Sequence, residues 1–349
     1  MATRATLSTL LRTALACAAL AALPAAAGIM PSSAPAQAPR VNEAQYEQLV
    51  NATNAVVGLK VKAIANARSN ETLGAERLGS GVLIGKDGLI LTIGYLILEA
   101  DQVEVTDSDG QTMPAAIVAY DHSTGFGLVR AIGPLTVKPI RMGTAAPVGQ
   151  LDRLMIVTGG AEQAISIATV VSRRKFAGYW EYLIDGAIFT SPPRLDHSGA
   201  ALINKDGELV GVGSLFVMDA LTPGEKLPGN MFVPVDLLKP ILDEMVRTGT
   251  QPEAHRPWLG VNSLEEDGRI KVMQVSDESP AEKAGISAGD IILRLNGEAV
   301  ANLEEFYRRL WTGTPGAEFK LTVLHGVDVR EVLVRSMDRK EYVRSKPTV

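Results

Sequence analysis

Four histidines, a single cysteine and the hydroxyl residues carry the side chains that could do nucleophilic or metal chemistry in this 349-residue chain. His122, His197, His255 and His325 show no metal-ligand spacing, so no metal is expected. The cysteine, Cys17, falls in an apolar leader, which leaves the rest of the chain without a thiol or a disulfide. Gly81-Val82-Leu83-Ile84-Gly85-Lys86-Asp87 is shaped like a phosphate loop, but it is one residue short between its glycines and has Asp where Ser or Thr must follow the lysine. No cofactor is expected. Lys205 stands in the turn Asn204-Lys205-Asp206-Gly207, too exposed a place for a serine's base. Hydroxyl chemistry remains, and it needs a general base.

The elements that must position such groups are mostly short strands. Residues 1–38 carry Arg4 and Arg12, an apolar run from Thr13 to Ala27, and small-residue sites at Ala25-Ala26-Ala27 and Ala36-Gln37-Ala38. That order predicts a secretory signal with an unstructured lead, and hence a periplasmic or secreted protein. The apolar run is too short and Ala-rich for a span of about 20 strongly hydrophobic residues. Without those residues the chain has 32 basic against 39 acidic side chains, a net charge of −7, which argues against nucleic-acid or anionic-membrane partners.

From Asn42 to Ala55 the apolar spacing predicts one amphipathic helix. Short β segments follow at 56–61, 81–84, 89–92, 103–105, 115–119, 127–131, 153–157, 165–171, 182–184, 200–203 and 209–213, separated by turns such as Lys86-Asp87-Gly88. This density of strands predicts a barrel or sandwich. Residues 235–247 read as a helix with Asp236 as its cap. The expected domains are a barrel region at 39–247, a polar linker at 248–257, a compact unit at 258–339 and a flexible tail at 340–349.

In the compact unit, Ser279-Pro280-Ala281-Glu282-Lys283-Ala284-Gly285-Ile286 followed by Gly289-Asp290-Ile291-Ile292-Leu293-Arg294-Leu295-Asn296-Gly297 resembles the bacterial PDZ domain. Physically, a short helix ends at Gly285, and Ile291, Leu293 and Leu295 alternate inward before an Asn-Gly turn. Leu303 to Trp311 reads as the second helix. The resemblance implies that polypeptide C-termini add as a strand beside that helix, with their carboxylate on the loop Trp258-Leu259-Gly260-Val261 and Arg256 as possible charge support.

The region before it resembles the HtrA/Deg serine proteases, through Gly79-Ser80-Gly81-Val82-Leu83-Ile84, Asp87-Gly88-Leu89-Ile90-Leu91-Thr92 and Phe232-Val233-Pro234-Val235-Asp236. The implied fold is mainly β, a trypsin-like double six-stranded β-barrel followed by an α+β PDZ domain. The family's Ser-His-Asp triad lines up poorly. Its histidine segment falls on Thr92-Ile93-Gly94-Tyr95-Leu96, so Tyr95 replaces the base. Its aspartate segment falls on Asp121-His122-Ser123-Thr124-Gly125-Phe126-Gly127, so Gly125 replaces the orienting acid. Ser198, in Asp196-His197-Ser198-Gly199-Ala200-Ala201-Leu202, keeps the nucleophile position, while Asp196 and His197 occupy the oxyanion-hole stretch.

A phenol with a pKa near 10 is a poor proton acceptor at neutral pH, and losing the histidine of such a triad costs on the order of a millionfold in turnover. His197, adjacent to Ser198, and His122, three residues before Gly125, are the alternative bases; both read as solvated loop residues. The sequence therefore predicts an inactive HtrA-like protein that binds unfolded chains or C-termini in envelope quality control. The competing expectation is a serine endopeptidase using Ser198 with a non-standard base. The resemblance also implies a homotrimer built through residues 41–55, or association with an active protease.

Overall fold

The computed structural model describes residues 43–160, 162–178, 181–250 and 255–343. The expected signal and lead, residues 1–38, lie outside them, and so do 344–349 of the expected tail. Among the described residues no helix is long and apolar enough to cross a membrane.

Alternation builds the first barrel. In β1 (Val56–Ala63) Leu59, Val61 and Ala63 point inward while Lys60 and Lys62 point to water. With β2 (Glu76–Leu83), β3 (Leu89–Ile93), β4 (Ala100–Thr106), β5 (Thr112–Tyr120) and β6 (Phe126–Ala131), it closes in the order β1-β2-β3-β6-β5-β4. The opening helix, Glu43–Asn54, buries Leu49, Ala52 and Thr53 against its own chain.

The second barrel follows as β7 (Arg141–Met142), β8 (Arg153–Thr158), β9 (Ala164–Gly178), β10 (Tyr182–Ser191), β11 (Ala201–Ile203), β12 (Glu208–Val217) and β13 (Gly229–Pro234). Six of these run β11-β8-β9-β10-β13-β12, and a β11–β12 pairing joins the ends, with β7 added parallel to β12. The chain is thus mainly β, a trypsin-like double barrel followed by a PDZ domain.

The PDZ sheet has the order β15 (Val261–Glu266), β16 (Arg269–Val275), β17 (Ile291–Leu295), β19 (Glu318–His325), β20 (Asp328–Arg335), with β18 (Glu298–Ala299) on β17. A separate two-residue ladder joins β14 (Pro257–Trp258) to β21 (Met337–Asp338). Its first helix, Pro280–Lys283, is capped by Ser279, whose side chain accepts from the Glu282 N–H. The second, Leu303–Leu310, is capped by Asn302 and buries Leu303, Phe306, Tyr307 and Leu310. Asn296 and Gly297 both take positive φ, as the expected tight turn requires.

Three expectations need correction. The helix foreseen over 235–247 is a 3-10 turn at Val235–Leu237 and a separate helix at Leu242–Thr248. Pro240 lies between them, without an N–H and disfavouring helical backbone at Lys239. Asp236 does not cap it; its carboxylate accepts from the Ala145 N–H at 2.7 Å and from Lys239 at 2.8 Å. The first residues of the expected tail form a helical turn, Arg339–Tyr342, with the Tyr342 ring 4.5 Å from that of Trp258. Finally, β9 runs seven residues past the foreseen segment, to Gly178, and this extension reaches the PDZ domain.

Candidate functional site

Close backbone approach shapes the turn that carries Ser198. Gly199 has φ +72°, and a Cβ there would stand 1.9 Å from the Ser80 carbonyl oxygen. A Cβ on Gly213 would stand 2.0 Å from the His197 oxygen, and the Ser80 N–H donates to the Ser198 carbonyl at 2.8 Å. Glycine is therefore obligatory around the serine, whatever the serine does.

Tyr95 follows β3 in a 3-10 turn, Gly94–Leu96. Arg77 holds that turn by donating to the carbonyls of Tyr95 (2.9 Å) and Leu98 (2.6 Å). The Gly94 N–H donates to the Gly125 carbonyl at 2.7 Å, so the turns bearing Tyr95 and Gly125 are tied together. Tyr95, Gly125 and Ser198 thus converge at the junction of the two barrels.

Tyr95 Oη lies 2.7 Å from Ser198 Oγ and 2.8 Å from the Ser214 carbonyl oxygen. That carbonyl sits where the β12–β13 register shifts, between Gly213 and Leu215. A carbonyl only accepts, and the phenol has one proton. Both contacts are satisfied when Tyr95 donates to Ser214 and Ser198 donates to Tyr95. Burial pushes the Tyr95 phenol up to about 12, against the pull of its Ser198 bond. The group facing the serine proton is therefore a neutral phenol.

Tyrosines also occupy the space of the missing acid. Gly125 has φ +78°, and a Cβ on it would meet Tyr182 Oη at 3.0 Å. Tyr182 Oη lies 3.3 Å from Tyr120 Oη, and burial raises the Tyr182 phenol well above its usual range. Asp121, the carboxylate in this loop, is turned inward and accepts from the Thr124 N–H and hydroxyl. Tyr120 and Tyr182 were not foreseen from the sequence, since nothing in their spacing marks them.

The oxyanion stretch is also altered. Burial pushes the Asp196 carboxyl up, but Arg194, its own backbone N–H and Thr158 outweigh this and hold it below the usual carboxylate range. The carboxylate beside the expected oxyanion amide also takes the Thr158 hydroxyl, at 3.3 Å. Arg194 grips the same carboxylate through two nitrogens. His197 and His122 are half-buried rather than solvated. Burial lowers the pKa of both, and His197 Nδ1 faces the Arg194 carbonyl at 3.1 Å. The His122 ring packs 4.2 Å from that of Tyr120, and its Nδ1 is buried with no partner among the described residues.

In the PDZ domain, Gly260 has φ +87°, which turns the N–H groups of Leu259, Gly260 and Val261 toward one point. That point holds a carboxylate of the chain itself. Glu181, at the tip between β9 and β10, accepts from Leu259 (3.1 Å), Gly260 (2.9 Å) and Val261 (3.3 Å). Burial pushes the Glu181 carboxyl up to about 7, against these bonds and Arg339, which pull it down. Arg256 lies 4.5 Å over the Trp311 ring. Glu181 was not foreseen, because a glutamate in a hairpin tip reads as solvated.

Residues 79–212 match the trypsin-like peptidase domain family, and residues 257–335 match the PDZ domain family. Over 286 residues the chain is 30% identical to "Serine endoprotease DegS" of Haemophilus influenzae, covering 78% of this chain and 81% of that protein. It is 25% identical to "Probable periplasmic serine endoprotease DegP-like" of Pseudomonas putida, where 72% of this chain covers only 53% of the relative. "Serine protease PepD" of Mycobacterium tuberculosis is 26% identical, with 70% and 57% covered. Among solved structures, "HtrA-type protease AlgW with tripeptide" superposes with a TM-score of 0.51 at 20% identity, covering 87% of this chain and 98% of that one. "HtrA-type protease AlgW with decapeptide" gives 0.50 at 18%, covering 87% and 99%. At such identity these two speak for the fold alone.

Proposed function

The chain belongs to the HtrA/Deg family, and we propose that it is a non-hydrolytic member, which binds polypeptide C-termini through its PDZ domain in quality control or regulation of the cell envelope. The observation that carries this reading is the buried phenol of Tyr95, bonded to Ser198 and the Ser214 carbonyl where a base must stand. A serine hydroxyl needs a partner that can take its proton, and a neutral phenol takes one only under strongly acidic conditions. Support also comes from the Asp196 carboxylate, a negative charge held by Arg194 in the expected oxyanion stretch, and from Tyr182 packed against Gly125.

The envelope assignment rests on the printed names of the relatives, several of them periplasmic, and on the leader read from residues 1–38. The peptide-binding role rests on the three converging amides of Leu259, Gly260 and Val261 with Trp258 beside them, a geometry suited to a carboxylate. An HtrA-type trimer through the segment before the first barrel belongs to the same reading, as does association with an active protease.

The test compares the purified protein with Ser198→Ala for cleavage of unfolded casein and for labelling by a fluorophosphonate. Neither protein is expected to cleave or label. Cleavage and labelling that both disappear in Ser198→Ala would make the chain an endopeptidase with a substitute base and overturn the proposal.

A further inference from the structure

The seven-residue overrun of β9, together with β10, forms a hairpin that leaves the second barrel and enters the PDZ domain beside β15 and the helix Leu303–Leu310. Ala177 packs on the PDZ core, and Gly178 approaches Leu264, with a Cβ there standing 3.6 Å from the leucine's Cδ2. Lys175 Nζ lies 2.6 Å from Glu304 Oε1 on that helix, and Arg308 lies 4.0 Å from Asp185 on the returning strand. At the tip, the Glu181 carboxylate fills the ring of three amides. The carboxylate therefore occupies the place a peptide's terminal carboxylate would take, and the hairpin lies against β15 and that helix, where an added strand would run, without a ladder to β15 among the described residues.

Two features mark the contact as built. Glu181 has φ +60°, a left-handed conformation that is strained for a non-glycine residue and persists where the surroundings enforce it. The side chain is also almost wholly buried, although a carboxylate loses hydration unless its acceptors are filled. Three amide donors fill them. Close by, Tyr307, whose titration responds to the Glu181 charge, has its hydroxyl buried with no partner among the described residues.

We propose that Glu181 is an internal ligand of the PDZ domain, a side-chain carboxylate standing in for a chain terminus, so that a peptide C-terminus binds only by displacing the β9–β10 hairpin. The proposal rests on the peptide-binding reading above and adds its regulation. A tethered ligand acts at an effective concentration in the millimolar range, so a free peptide's apparent affinity falls by the fraction of molecules in which the loop is open. A displaced hairpin also frees the PDZ domain from the second barrel on that side. A further contact between the first barrel and the PDZ domain is Arg68, which pairs with Glu278 and stacks 4.4 Å over Tyr342.

The experiment uses the full chain and its variants Glu181→Ala and Glu181→Gln. The first readout is hydrogen exchange at the amides of Leu259, Gly260 and Val261. The second is binding of a fluorescein-labelled decapeptide ending in valine with a free carboxylate, beside its C-terminally amidated twin. Exchange is expected to quicken at least tenfold in Glu181→Ala, and the free-carboxylate peptide to bind at least tenfold more tightly, with a smaller change in Glu181→Gln and none for the amidated twin. Unchanged exchange, or equally tight binding to the parent protein and Glu181→Ala, overturns the internal ligand while leaving peptide binding intact. Quickened exchange with no peptide bound by any variant supports the internal ligand and sinks the peptide-binding reading instead.

Discussion

The cleft around Ser198 and the loop around Gly260 are both places where the backbone has been folded tightly to present something, and they have fared differently. In the cleft, Gly199, Gly213 and the Ser80 amide hold the serine turn, and the groups around it are the Tyr95 phenol, Gly125 and the Arg194-bound carboxylate of Asp196. In the loop, the working groups are backbone N–H donors, which no substitution at their own positions except proline removes. Chemistry that depends on side-chain identity is open to change by one or two replacements. Recognition by backbone persists, and is controlled by what occupies it; here the occupant is Glu181.

The largest effect expected is on stability in the cleft. Gly199→Ala places a methyl 1.9 Å from a carbonyl oxygen at φ +72°, and should lower the unfolding free energy by about 4 kcal/mol or more. Gly110→Ala is the control, with φ +83° but nothing within 4 Å of the added carbon, and should cost about 1 kcal/mol. Denaturant midpoints of the two variants measure the difference. Equal losses would mean that the serine turn is not held by close approach, and that the cleft's framework is as altered as its side chains.

Next is the attempt to rebuild the triad. Tyr95→His with Gly125→Asp restores the residue types, yet the introduced aspartate would need the left-handed backbone of Gly125 and the space of Tyr182, 3.0 Å from the new Cβ. The double variant should lose about 2 kcal/mol of stability and show no casein cleavage, because the base remains unoriented and the Asp196 carboxylate stays in the expected oxyanion stretch. Cleavage that appears in this variant would break the comparison, since it would leave two side chains as the whole difference from a protease.

Much of this was legible in the sequence, and the rest was hidden for identifiable reasons. Alternation in segments such as Leu59-Lys60-Val61-Lys62 fixes barrel strands, and Ser279-Pro280 and Asn296-Gly297 punctuate the PDZ domain, because each rests on contacts local to a few residues. Pro240 was equally legible and breaks the helix foreseen across it. Tyr95 and Gly125 could be placed by resemblance to a known motif. Tyr120, Tyr182 and Glu181 could not. Their roles come from contacts spanning 57 to 80 positions, from Gly125 with Tyr182 to Val261 with Glu181, and no local pattern encodes those.

The smallest effect expected, and the one that most sharpens the comparison, is a pH dependence confined to the loop. Docked, the Glu181 carboxyl is raised to about 7 by burial; released into water it returns toward the ordinary value near 4.3. Between these values the docked state holds more protons than the open one, so docking strengthens as pH falls and weakens as pH rises toward 7. The other groups around the carboxylate do not reverse this sign. Arg339 pulls the carboxyl down without outweighing burial, the Tyr307 phenol is raised by burial and stays neutral, and His122 is held neutral by a pKa lowered well below 6.5. The docked fraction, read by energy transfer between dyes on the second barrel and the PDZ domain, should rise by about ten- to a hundredfold relative to the open fraction from pH 8 to pH 5. Glu181→Gln, which cannot titrate, should be flat over the same range. A parent protein as flat as that variant would mean that Glu181 is not taken from water on docking, and the loop would then be as open to solvent as its turn geometry alone allows.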